Sequence, residues 1–163
     1  MNIDTFWALI EPIKNAIEPE IEIAKQLQSL DPAELEAYQT HFDHLKNQAN
    51  RWDLWGAAYM IGGGCSDDSF IDFRYGLIAK GRDIYEKAVQ DPDSLADLGD
   101  DLEIENESFG YVAQEIYTAK TGKDMPRNSA GLSAYDMGEE WDFEDKEENL
   151  KRIPRLTAIY WPD

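Results

Sequence analysis

The sequence predicts an all-α fold: one compact domain over residues 1–163, built as a bundle of about six to eight helices with an acidic loop and a C-terminal segment docked on the core. Three observations carry that reading. Apolar residues recur at three- and four-residue steps along most of the chain. Capping signals and glycine stops bracket those stretches. No run alternates for long enough to build a strand ladder.

Phe6, Ile10, Ile13 and Ile17 line one helical face, with Asp4 as N-cap and Pro12 expected to kink or split the segment. A second helix starts near Pro19 and presents Ile21, Ala24 and Leu27. Asp31-Pro32-Ala33-Glu34 supplies the clearest start: a cap carboxylate, a proline in the first turn and a glutamate to close a capping box. The face that follows runs Leu35, Tyr38, Phe42, Leu45, Ala49 and Trp52, a spacing that only packing against other helices requires. A short helix carries Trp52, Leu54, Trp55, Ala58, Tyr59 and Ile61 and stops at Gly62-Gly63-Gly64. Ser66 caps the next, with Asp67 and Asp68 in its positive first turn and Phe70, Phe73, Leu77 and Ile78 inward as far as Gly81. Ile84, Tyr85 and Ala88 extend a helical face to the Asp91-Pro92 turn, and Ser94–Leu98 has the makings of a helical turn. A further helix turns Phe109, Val112, Ala113, Ile116, Tyr117 and Ala119 inward and stops at Gly122. Residues 123–138 read as a loop, a final acidic segment leads into Leu150, Ile153 and Pro154, and the closing Leu156, Ile159, Tyr160 and Trp161 dock back on the core.

The charge limits the partners. Asp and Glu number 34 against 15 Lys and Arg, a formal net charge of −19, in a chain whose residues are 42% hydrophobic. Such a surface repels nucleic acid and anionic lipid and attracts cations and basic proteins. Acidity that serves solubility alone is the competing explanation. The single cysteine, Cys65, rules out an internal disulfide and points to a reducing compartment. Met1-Asn2-Ile3-Asp4 offers no basic leader, and no apolar run approaches the roughly 20 residues of a bilayer span, so a cytoplasmic protein is expected.

Arg51-Trp52-Asp53-Leu54-Trp55-Gly56-Ala57-Ala58-Tyr59, then Gly63-Gly64-Cys65-Ser66-Asp67-Asp68, Phe70, Phe73-Arg74, Leu77-Ile78 and Gly81 form a long motif. Together with Phe6-Trp7 and Asp91-Pro92-Asp93-Ser94-Leu95, it resembles the bacterial "domain of unknown function 4240" family as far as about Leu98. The resemblance implies a small all-helical cytosolic protein and brings no catalytic or ligand residue with it.

Several chemistries fit poorly. His41 and His44 stand beside the apolar stripe without the further inward carboxylates of a helical metal site. Cys65 precedes a helix start, but Asp67 and Asp68 oppose a thiolate there, so it reads as a structural thiol. The glycine run has no following lysine to hold a phosphate. A calcium loop from Asp91 has Ala96 and Leu102 where glycine and glutamate belong. No cofactor and no metal are expected.

Two functional readings remain. One is a non-enzymatic protein-binding module, such as an immunity protein that neutralises a basic toxin domain. Its partner-binding residues would be Asp97, Asp100, Asp101, Glu103, Glu105, Asp142 and Glu144, because the Asp91–Glu107 stretch holds no basic residue and the Asp142–Glu148 segment only Lys146. The other is a ligand receptor or enzyme with a pocket formed by Trp52, Asp53, Trp55, Asp67, Asp68 and Arg74. Against that pocket stands the ordinary packing role of aromatic residues at helical spacing, with Trp52, Trp55 and Phe73 all filling core.

Overall fold

Local signals set most helix boundaries. The computed structural model describes residues 1–127 and 135–163; the rest of the expected 123–138 loop lies outside the described residues. Among them the chain forms nine α-helices: α1 Ile3–Ile10, α2 Pro19–Leu27, α3 Pro32–Gln48, α4 Trp52–Gly62, α5 Asp67–Ala79, α6 Arg82–Gln90, α7 Val112–Thr121, α8 Lys146–Arg152 and α9 Pro154–Tyr160. Short 3₁₀ turns cover Glu11–Ile13, Pro92–Leu98 and Ser108–Tyr111. There is no strand among the described residues, so the chain is all-α. The helix number exceeds the expectation because the C-terminal segment divides at Pro154 into two short helices.

The capping box at Asp31 and Glu34 forms as expected, and Ser66 caps α5. At the N-terminus the cap is Asn2, not Asp4: its side chain accepts from the Thr5 amide at 2.8 Å. Pro12 diverts the chain into a 3₁₀ turn, which leaves Ile17 fully exposed instead of on the α1 face. In α2 the buried pair is Ile23 and Leu27, while Ile21 faces solvent. Trp52 belongs to α4 and is only half-buried, so it does not continue the α3 stripe. Ala119 and Leu150 are exposed, since each lies on the outer side of its helix.

α3 is the central element and packs against α7 and α5. Its Tyr38 ring lies 4.9 Å from Phe6, and its Phe42 ring 5.5 Å from Tyr75 and 6.0 Å from Phe109. The acidic stretch crosses α5 closely at Gly76, where a Cβ would strike the Ile104 carbonyl. The Asn106 amide donates to the Asp72 carbonyl at 2.9 Å and secures the crossing. No helix among the described residues is long and apolar enough to cross a membrane.

The C-terminal segment closes the bundle over α4. Met137 accepts the Trp52 amide at 2.9 Å, which satisfies a donor at the open start of that helix. The Trp141 indole fills the space over Gly56, where a Cβ would collide with it. Trp141 donates to the Asn149 side chain at 2.7 Å, and buried Asn149 donates on to the Phe143 carbonyl at 2.8 Å. α9 has no cap of its own from Ile153. Buried Asp93 supplies it across the fold, accepting the Arg155 amide at 3.1 Å and the Leu156 amide at 2.9 Å.

Asp93→Ala strips α9 of that cap and leaves the buried Leu156 donor unpaired, so a loss of about 2–3 kcal/mol is expected in urea unfolding. Asp93→Asn, which keeps one acceptor, should lose less. Equal stability of the alanine variant and the parent would show that α9 docks without the cap.

Candidate functional site

Four of the acidic residues picked out by sequence line two clefts against α4: Glu103 and Glu105 one, Asp142 and Glu144 the other. Ile61, Gly62 and Ala58 of α4, with Phe73 of α5, line one cleft of about 440 Å³. Its other wall is the crossing segment, where Leu102 and Ile104 turn toward the protein and the exposed Glu103 and Glu105 turn outward, the period-two alternation of extended chain. A second cleft of about 590 Å³ lies between Trp52 and Tyr59 of α4 and the returning segment, with Trp141 and Phe143 as its aromatic members and Glu140, Asp142 and Glu144 as its acids. A smaller depression joins Tyr59, Met60 and Gly63 to Glu144, Tyr160 and Trp161. Tyr160 also donates to the Gly99 carbonyl at 3.4 Å, and burial, with Asp100 and Asp101 adding to it, pushes its phenol pKa up.

Six of the seven expected partner residues keep their charge free of any cation among the described residues: Asp100, Asp101, Glu103, Glu105, Asp142 and Glu144. The Asp142 side chain also accepts the Glu144 amide at 2.9 Å. Asp97 differs. It pairs with Arg155, a counter-charge that arrives from far along the chain. Lys146, the only base within its own acidic segment, pairs with Asp163 at 2.6 Å and leaves Asp142 and Glu144 uncompensated.

The alternative pocket residues are not gathered into one cavity. Arg74 is buried, donates to the Lys46 carbonyl at 3.0 Å and lies 4.8 Å over the Phe70 ring. Asp53 is bound by Arg51 at 3.1 Å. Asp67 and Asp68 are exposed in the first turn of α5. Trp55 is sandwiched between Trp52 at 5.3 Å and Phe70 at 4.9 Å, and its indole donates to the Cys65 carbonyl at 2.9 Å. Burial, with Glu105 and Asp72 adding to it, pushes the half-buried Cys65 thiol up to about 12, which keeps it out of the nucleophilic thiolate form at neutral pH.

Residues 1–119 match the model of a family described as "Protein of unknown function (DUF4240)". The chain belongs to the DUF4240 family. No curated protein and no solved structure matches it. The match continues past Leu98, where the sequence motif fades, through the crossing segment and most of α7. The aromatic cleft is therefore composite: Trp52 and Tyr59 lie in the DUF4240 part, while Glu140–Glu144 come from the segment beyond it.

Sequence reasoning passed over Tyr59, Glu140, Trp141 and Phe143 as site residues. The last three had a signal in the run of alternating acids and aromatics, Glu140-Trp141-Asp142-Phe143-Glu144, which the structure closes in a turn from Asp142 to Asp145. It also passed over Asp43, a buried carboxylate between the two histidines that pairs with Arg127 at 2.9 Å.

Two measurements follow from this geometry. Phe73 is fully buried and Trp52 is not, so Phe73→Ala should cost about 3–5 kcal/mol and Trp52→Ala about 1–2 kcal/mol in chemical denaturation. Comparable losses would place Trp52 in the core. Partial burial, then Glu107, Glu105 and Asp68, raise the Asp72 carboxyl above its ordinary value of 3.8. A raised acid favours the folded state when protonated, and that contribution is lost as pH climbs through the folded-state pKa. Asp72→Asn should thus stabilise the protein by ~0.5 kcal/mol at neutral pH, a figure discounted for solvent screening, and by nothing near about pH 3. Destabilisation at neutral pH would contradict the crowding of these carboxylates.

Proposed function

We propose that this protein is a non-enzymatic binding module that holds a basic protein surface against the acidic face around the C-terminal half of α4. One observation supports the reading: two acidic stretches far apart in sequence, 103–105 and 140–144, line clefts against the same helix without counter-charges among the described residues. The C-terminal end of α4 adds the negative pole of its helix dipole to that face. Like charges brought together repel one another and weaken the fold, and a cationic partner relieves that repulsion. An inhibitor of a basic toxin domain, such as an immunity protein against a nuclease, fits this physics because its carboxylates take the place of phosphates. Ile61, Leu102, Tyr160 and Trp161 give the acidic face half-buried apolar ground on which a partner can pack.

The test is affinity capture from the native host followed by binding kinetics on each purified protein recovered. Reversal of Asp100, Asp101, Glu103 and Glu105 to lysine should slow association by about tenfold or more at low salt and change dissociation less. Rising salt should slow association by the native protein too, as the Debye length falls to about 8 Å. Asp97→Lys is a poor probe, because it also breaks the pair with Arg155. Partners that are only acidic or neutral, or an on-rate indifferent to salt and to the four reversals, would sink the proposal.

A further inference from the structure

We infer that the cleft between α4 and the 140–144 segment is an arginine-reading site, which receives the guanidinium of an arginine side chain presented by the basic partner. The inference rests on the binding-module reading above and names the contact that gives it specificity.

Three features of the cleft point to that occupant. Its walls are aromatic: Phe143 lies 5.5 Å from Tyr59 and 6.5 Å from Trp52, and the rings are tilted to one another instead of closed in a stack. Rings so placed offer the negative face of their quadrupole to a cation. Trp52 is held in position from behind by its parallel stack on Trp55, and Phe143 by its edge contact with Trp141 at 5.2 Å. The mouth is anionic, with exposed Glu140, Asp142 and Glu144 and no cation paired to them among the described residues. At about 590 Å³ the cleft also has room for a long side chain and part of the backbone that carries it.

The protein already builds this recognition from its own residues beside the cleft. Arg152 lies 4.8 Å over the Trp141 ring, on the same returning segment, while Glu139 at 2.9 Å and Glu148 at 3.1 Å hold its guanidinium. The external site repeats that plan, an aromatic surface with carboxylates around it, but no arginine of the described chain fills it. Guanidinium suits it better than ammonium, since a planar cation stacks on a ring and still directs donors sideways to two carboxylates. A blocked arginine, as it occurs within a chain, suits it better than free arginine, whose own carboxylate would face the acidic mouth.

Titration of the full-length protein, followed through its tryptophan indole N–H signals by NMR, tests the assignment. N-acetyl-arginine amide should shift the Trp52 signal saturably, with a Kd on the order of 1–10 mM for so small a probe. Free arginine should bind more weakly, and N-acetyl-citrulline amide, which has the shape without the charge, should leave the signal in place. Phe143→Ala and the triple change Glu140→Gln, Asp142→Asn, Glu144→Gln should each weaken the arginine amide about tenfold. The triple variant alters only exposed side chains, so it keeps the test valid if Phe143→Ala fails to fold. Asp67→Asn should change nothing. An unmoved Trp52 signal, equal binding of citrulline amide, tighter binding of choline, or full affinity in the triple variant would overturn the arginine site. If Trp52 stays unmoved while a basic protein still binds with a salt-dependent on-rate, the cleft assignment falls and the binding-module reading stands. If the arginine amide binds as described and no basic protein does, it is the binding-module reading that falls.

Discussion

The arrangement of the candidate site depends on how the C-terminal segment is fastened across α4. A buried carboxylate, Asp93, does much of this by capping α9 from a turn some sixty residues earlier in the chain. A short helix that starts at a proline without a cap of its own leaves amides exposed to a dry interface, and Asp93 meets two of them. With α9 in place, Gly56 admits the Trp141 indole, and Asn149 ties Trp141 to Phe143. Each contact is modest alone. In series they hold an acid-rich segment against a helix that would otherwise present Trp52 and Tyr59 to water.

The charge distribution follows from the same fastening. The bases of the C-terminal segment are used within the fold: Arg155 on Asp97, Arg152 on Glu139 and Glu148, and Lys146 on Asp163. Surface pairs of this kind add little stability, but they decide which carboxylates remain uncompensated. Among those that do, Glu103 and Glu105 line one cleft against α4, and Glu140, Asp142 and Glu144 line another. Part of the excess negative charge that composition reports as a single number thus lies beside the half-buried aromatics Trp52, Tyr59 and Phe143.

The DUF4240 match and the geometry divide the work. The matched residues build the α3-centred core, the crossing at Gly76 and the α4 wall of the cleft. The segment beyond the match supplies the opposite wall, with its alternation of acids and aromatics.

Much of the fold was legible in the sequence. The capping box at Asp31, the α3 stripe, the glycine stop after α4 and the Ser66 cap depend on residues within a turn or two of one another, where backbone geometry dictates the outcome. The all-α class and the acidic surface needed nothing more. The site was legible only in part. Asp100, Asp101, Glu103, Glu105, Asp142 and Glu144 stood out as uncompensated acids, but their convergence on α4 did not, because it is set by long-range packing. The pairing of Asp97 was not legible for the same reason, since its counter-ion Arg155 is remote in sequence. Nor was the placement of Arg74, which lies against the Lys46 carbonyl and the Phe70 ring inside the bundle, apart from the exposed Asp67 and Asp68. Sequence alone therefore determined most of the helices, the local caps at Asp31 and Ser66 and the sign of the surface, all consequences of short-range geometry and composition. Tertiary structure alone decided which charges were paired and which aromatics faced a cleft, because both depend on what the fold brings within a few ångströms.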